Sequence, residues 1–342
     1  MNPFPPLSLL WPTRRVLHLL TGLCLGLALS PLQAAPKPRA VYLDREEQCQ
    51  PQPLPAMVLH LSGDAWKLDA RGGESTLVQG MQLEEGEGVR TAHNAFVSLL
   101  LGDGSRIVLP SSSAIRLHVE ETLVIAQVIL EQGQVESYVI KRRSAQDRLQ
   151  IRTALGILGV RGTHFRTSSE ADGARLEVLD GQVVVSREGD ADLTGQPASR
   201  PAGRLASRPV HRTRVGPPDE RVAVGARQGL KIRAEGKLAP VDLLPAPRLA
   251  GQDGQRGTAA LWRLLLDPLP GAQRYRAQVA NDRQFLKIRQ ESFSDTPQLT
   301  FSDLPGAYYH VRLSAFDDQG LEGESAIYDI LYLPGTVHAQ LP

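Results

Sequence analysis

An all-β fold follows from three features of the sequence. Apolar residues recur at every second position in short runs, as in Ile115, Leu117 and Val119, and that spacing lines one face of a strand. The 31 Gly and 25 Pro among 342 residues supply turns at a density that suits strands better than a helical bundle. Between residues 57 and 186 no run holds the three-to-four spacing of an amphipathic helix for three turns. A hydrophobic content of 42% excludes wholesale disorder, and 38 Lys and Arg against 37 Asp and Glu leave a net charge of +1. No global charge therefore recruits nucleic acid or an anionic membrane. Aromatics at 5% argue against an extended stacking surface for glycans or bases.

The chain opens as an export signal. Arg14 and Arg15 precede an uncharged, Leu-rich run from Val16 to Ser30, then Pro31-Leu32-Gln33-Ala34-Ala35, a small-residue cleavage site. Residues 1–34 are expected to be a signal peptide, the run being short for a membrane span of about 20 residues. The mature chain is then periplasmic, with secretion or outer-membrane association as the other destinations. No other segment reads as a transmembrane helix. Of two Cys, Cys24 lies in the leader, so Cys49 is a lone thiol in the mature chain. Residues 35–56, with Pro36, Pro38, Pro51, Pro53 and Pro55, read as an extended tether.

A first β domain is expected over 57–240. Two β-rich runs flank Gly102-Asp103-Gly104, a strong hairpin signal. The stretches Leu130 to Val135 and Val178 to Val183 share an apolar-x-x-Gly-Gln-Val pattern, read as two hairpin turns with Gly133 and Gly181 at positive φ. Val222-Ala223-Val224 and Leu230-Lys231-Ile232 read as a last hairpin. A basic insertion at about 188–219 interrupts the domain. Its Arg204, Arg208 and Arg212 offer a weak contact for an anionic surface or, more simply, a solvated loop. Pro240, Pro245 and Pro247 mark a linker at 241–248, and proteolysis is expected to part the chain there. Six runs follow over 249–338, from Ala259–Leu266 to Ile327–Leu333, with Trp262 and Tyr308-Tyr309 as aromatic core; this spacing suggests a β-sandwich.

Two stretches resemble the FecR family: Val89-Arg90-Thr91 through Leu99, Leu101, Gly102-Asp103-Gly104-Ser105-Arg106 to Leu109, and Gly159-Val160-Arg161-Gly162-Thr163-His164-Phe165 followed by Leu176 to Val185. Ala92 stands where that family usually has Gly. The resemblance covers roughly 89–186. The C-terminal unit is similar to a fibronectin type III-like domain, on Trp262, Pro270-Gly271-Ala272, Tyr275, Leu304-Pro305-Gly306, Tyr308 and Arg312. It implies a FecR-type β domain followed by a fibronectin type III or Ig-like sandwich after the signal peptide. Well-understood relatives relay a signal from an outer-membrane transporter to a sigma factor through a cytoplasmic segment. This chain is expected to lack that segment, so what carries over is a β-rich interaction module.

Local catalytic motifs are missing: there is no phosphate-binding Gly-x-x-x-x-Gly-Lys, His-Glu-x-x-His, Cys-x-x-Cys or Gly-x-Ser-x-Gly. No enzyme activity, cofactor or metal is expected. Two functions remain open: a non-enzymatic scaffold or signal-sensing protein meeting an envelope partner, and a glycan- or peptidoglycan-binding module. Arg161 and Thr163 are the candidate binding residues beside the three insertion arginines. Gly102, Asp103, Gly104, Gly159, Gly162, Phe165 and Gly181 are read as structural. The Gly159–Phe165 motif is expected to be a tight turn between a strand at Leu149–Thr153 and one starting at Phe165.

Overall fold

The alternation seen in the sequence becomes strand after strand. A computed structural model describes residues 56–120, 125–141, 149–187, 220–255 and 261–334, and these contain no helix. The expected leader, the tether up to residue 55, Cys49 and the insertion with Arg204, Arg208 and Arg212 lie outside the described residues, and Ala56, expected to end the tether, opens the first strand.

The first body runs through β1 (Ala56–Ser62), β2 (Ala65–Leu68), β3 (Glu74–Thr76), β4 (Gln82–Leu83), β5 (Gly88–Thr91) and β6 (Phe96–Leu100). It continues with β7 (Arg106–Leu109), β8 (Ala114–Glu120), β9 (Ile125–Tyr138), β10 (Leu149–Arg152), β11 (Gly156–Val160) and β12 (His164–Glu170). It ends with β13 (Gly173–Asp180), β14 (Gln182–Arg187), β15 (Arg221–Gly225), β16 (Gln228–Ile232) and β17 (Val241–Asp242). Pairing sorts them into two rows. The inner row is β4-β1-β6-β7-β9-β12-β13-β16-β17. The outer row is β3-β2-β5-β8-β9-β10-β11-β14-β15. Only β9 belongs to both. Its first half pairs with β8 and β10, its second half with β7 and β12. Val97, Leu99, Ile107, Phe165 and Leu176 of the inner row meet Ile115, Val128, Leu158 and Val183 of the outer row in one apolar core.

Crossings between the rows correct three expectations. Gly133 is no hairpin turn: it sits within β9, where that strand changes rows, beside a register shift at Ala114/Ile115. Its φ is +79°, and a Cβ there would lie 2.6 Å from the Ser112 carbonyl oxygen. A strand that turns a corner needs such a kink, and Gly supplies it. Gly181 joins β13 of the inner row to β14 of the outer row, and these two strands pair with others. Likewise β15 and β16 lie in opposite rows rather than forming a hairpin. The last two share one reason: in a two-layer β body a tight turn can pass the chain between layers as readily as return it within one. The Gly102–Gly104 turn does return it, joining β6 to β7.

The second body contains β18 (Leu249–Gln255), β19 (Leu261–Leu266), β20 (Arg274–Ala280), β21 (Ile288–Ser294), β22 (Gln298–Ser302), β23 (Ala307–Phe316) and β24 (Ala326–Tyr332). They form a three-stranded sheet, β18-β19-β22, and a four-stranded sheet, β21-β20-β23-β24. Alternate residues of both sheets, among them Trp262, Leu264, Tyr275, Ala277, Val311 and Leu313, fill the core between. Trp262 stacks on Tyr332 at 4.7 Å, and the Tyr309 hydroxyl donates to the Pro305 carbonyl at 2.9 Å. Strand β21 begins only at Ile288, after a turn that contains Phe285. Asp282 accepts hydrogen bonds from the backbone N–H groups of Gln284, Leu286 and Lys287 and holds them in a turn. Between the bodies, the expected linker at 241–248 carries β17, and Leu243 N–H donates to the Arg227 carbonyl at 2.9 Å.

Candidate functional site

Strands alternate, so the inner row has a second face opposite its core. There Gln134, Glu136 and Tyr138 of β9 stand beside Arg166 and Ser168 of β12 and Arg175 and Glu177 of β13. By spacing alone this is a solvent face. It is buried instead, because the four-stranded sheet of the second body packs on it with its own outward residues, Arg276 and Gln278 of β20 and Arg312 and Ser314 of β23. Two polar faces thus make a charged layer. An apolar patch of Phe96, Val108, Ala280, Phe285 and Ile288 borders it.

Pairing inside the layer is dense. Arg312 grips Glu136 through two bonds of 2.6 Å each, with side chains 6% and 7% exposed. The Glu136 carboxylate also meets His164 Nε2 at 2.8 Å and accepts from the Tyr138 hydroxyl at 2.9 Å. Glu322, in the loop before β24, meets Arg166 at 2.5 Å and Arg276 at 3.0 Å, and accepts from the Ser314 hydroxyl at 2.5 Å. Arg276 also holds Glu291 of β21 at 2.6 Å.

Protonation follows from these partners. Burial would raise Glu136, but the Arg312 charge and bonds from His164 and Arg312 outweigh it and hold the carboxyl well below its ordinary range. Burial likewise opposes ionisation of Glu322, and Arg166 with Arg276 overcomes it, bringing the carboxyl down to about 2. Glu177 goes the other way. Burial pushes it up to about 8, with Arg166 opposing and Glu322 adding repulsion. Its Oε2 is buried without a hydrogen-bond partner among the described residues. The layer therefore sets Arg312 against an ionised Glu136, and Arg166 with Arg276 against an ionised Glu322, and carries Glu177 as a glutamic acid. Buried charges are tolerated only when paired in this way.

Two clefts open at the edges of the layer. One, of about 540 Å³, is lined by Arg106, Tyr138, His164 and Leu179 of the first body and Arg283, Phe285, Arg312 and Ile327 of the second. The other, of about 640 Å³, is more polar and includes Asn94, Gln134, Ser168, Glu177, Arg274 and Phe293. Four non-glycine residues with positive φ line them: Arg227 and Phe285 the first, Asn94 and Ser112 the second. Among the described residues no group of three His, Cys, Asp or Glu is placed to hold a metal. Among the described residues no helix is long and apolar enough to cross a membrane.

The residues singled out from sequence lie elsewhere. Gly159 and Val160 belong to β11, so the motif spanning Gly159 to Phe165 is half strand and half corner. The turn expected after Leu149–Thr153 is a separate one, at Thr153–Gly156, which closes the β10–β11 hairpin. Arg161 is exposed, whereas Thr163 is buried and its hydroxyl donates to the Gln182 carbonyl at 3.0 Å. Gly162 has φ +81°, and a Cβ there would fall 2.6 Å from Lys141 Cα. Phe165 is wholly buried in the first core. Asp103 accepts from Ser105 N–H at 2.8 Å and meets its hydroxyl at 3.0 Å, which fixes the Gly102–Gly104 turn. A Cβ at Gly159 would make only ordinary contact, 3.7 Å from the Val184 carbonyl oxygen. The charged layer went unread in the sequence. Its one signal is that Arg and Glu alternate with the core residues along central strands, on β9, β12 and β13, and that Arg does so again on β20 and β23.

No curated protein sequence matches the chain significantly. Two crystal structures of a candidate anti-sigma factor from Parabacteroides distasonis are similar to it, each at 16% identity and a TM-score of 0.33. Each similarity covers 45% of this chain and 59% of the other, so the chain spans less than two thirds of that protein's length. The family described as FecR protein matches residues 87–184, from the turn before β5 into β14, and that segment of the first body is a FecR-like domain.

Proposed function

We propose that the protein is a non-enzymatic scaffold or signal-sensing protein of the cell envelope, exported by its leader, whose FecR-like domain meets an envelope partner. The observation that carries this reading is the FecR-like match at 87–184, set in a first body that shares a charged layer with a second β body. A device of that kind offers loops on a rigid support, which is how β-sandwich proteins generally recognise partners. The second body reads as a fibronectin type III-like sandwich. Three strands face four, and the Tyr309 hydroxyl bonds the chain upstream at the bend into β23, as in the tyrosine corner of such folds.

A glycan-binding function is the second reading, and the polar cleft with Asn94, Gln134 and Ser168 favours it. One experiment separates the two. The purified mature protein is used to capture material from envelope extracts, with and without muramidase digestion. A stoichiometric protein that survives digestion supports the scaffold. Retention that vanishes on digestion supports the glycan module and refutes the scaffold.

A further inference from the structure

The smaller cleft has the makings of a ligand site beyond the paired layer. Arg106 Nη1 donates to Gln284 Oε1, a neutral amide, at 2.6 Å, and among the described residues it has no carboxylate partner. Ser325 lines the same cleft, and its hydroxyl oxygen, shielded from solvent, has no hydrogen-bond partner among the described residues. Buried hydroxyls are nearly always satisfied, so an orphan beside a cleft marks a place where something else bonds. At the rim, Arg227 pairs with Glu324 and Arg283 with Asp329. Their side chains are 72% and 70% exposed, and ion pairs so exposed hold their partners weakly.

Leu179, Phe285, Leu286 and Ile327 form the apolar part of the wall, beside Tyr138, His164 and the Glu136-paired Arg312. Arg227 at φ +64° and Phe285 at φ +54° are bulky residues held in the left-handed region. Such conformations cost energy and concentrate at ligand clamps. Cationic and hydroxyl donors over an apolar wall match one chemistry, an anionic head on a greasy body.

We propose that this cleft binds a small amphipathic anion, a carboxylate or phosphate carried on an apolar body, with Arg106 and Ser325 as its polar anchors. The proposal deepens the binding-protein reading and rests on it, but its readout needs no envelope partner. The probe is 8-anilinonaphthalene-1-sulfonate, an amphipathic sulfonate whose fluorescence rises in apolar sites, titrated into the folded mature protein. One dye per chain is expected. Decanoate and decyl phosphate should displace it, and their ranking identifies the preferred head group. Inorganic phosphate and decanol should not. Arg106→Gln should weaken dye and decanoate binding about tenfold or more, the worth of a charged hydrogen bond, without lowering the melting temperature. Ile327→Asp, at an exposed position, should do the same from the apolar side. Several dyes per chain, displacement by decanol or phosphate as effective as by decanoate, or unchanged affinity in both variants would overturn the proposal. A failed capture of any envelope partner would leave these results standing.

Discussion

Replacing Arg312 by Met would leave Glu136 ionised in a buried layer with only His164 and Tyr138 to answer it. The pair is bidentate at 2.6 Å and nearly sealed from water. At an effective dielectric near 20, charges about 4 Å apart attract by about 4 kcal/mol. Removing one partner from such a pair costs about 3–5 kcal/mol, since the survivor keeps its desolvation penalty. Glu136→Met should cost somewhat less, because Arg312 retains Gln278 Oε1 at 2.9 Å and lies over the Phe285 ring at 4.5 Å. The double variant Glu136→Met/Arg312→Met removes both charges together and should fall within about 1.5 kcal/mol of wild type. Urea unfolding of the four proteins closes the cycle, and a coupling energy of about 3 kcal/mol or more is expected. Single-variant costs below about 1 kcal/mol with coupling under about 0.5 kcal/mol would refute the reasoning, for those are the values of a solvated surface pair.

Other outcomes follow from the same structure. Glu177 holds its proton up to about pH 8 in the native state but releases it near its ordinary 4.5 when unfolded. Between those values the native state binds more protons, so stability should fall as pH rises, by up to about 1.4 kcal/mol per pH unit. Glu177→Gln should flatten that slope and be the more stable protein at pH 8, as read by thermal melts across pH 5–8. Phe165→Ala should cost about 3–5 kcal/mol as a buried aromatic truncated in a packed core, and Gly162→Val should also lower the melting temperature strongly, given the positive φ and the 2.6 Å approach to Lys141. Arg161→Ala, at an exposed corner, should change stability by less than about 0.5 kcal/mol. Limited trypsin digestion should spare Arg248 early, because the segment from β17 into β18 is tied by backbone bonds on both sides, Leu243 N–H to Arg227 and Glu324 N–H to the Leu244 carbonyl; rapid cleavage there would restore a free linker.

Much of the β architecture was legible because strand periodicity is local. The run read at Ile327–Leu333 becomes β24, Ala326–Tyr332, within one residue at each end, and the Gly102–Gly104 hairpin stands where the Gly-Asp-Gly signal put it. Positive φ at Gly133 and Gly181 was also readable. Their roles were not: whether a kinked chain returns within a sheet or crosses to the facing one depends on pairings far away in sequence, such as β9 with β12 and β11 with β14. The charged layer was hidden for a related reason. Glu136 and Arg312 are 176 residues apart, and each alone reads as the polar side of an amphipathic strand. Only the packing of one polar face upon another turns them into partners, and strand spacing reports which side a residue faces without saying what lies there. Thr163, a candidate ligand donor by its place in a turn, gives its hydroxyl to the Gln182 carbonyl instead.

That the two β bodies act as one unit through the charged layer is the claim on which the site, the clefts and the proposed ligand all depend. Differential scanning calorimetry of the mature protein tests it most directly. With the layer intact, a single transition whose calorimetric and van't Hoff enthalpies agree is predicted, and Glu322→Ala, which strips the shared partner of Arg166 and Arg276, should split it into two. Two separate transitions already in the wild-type protein would contradict the account.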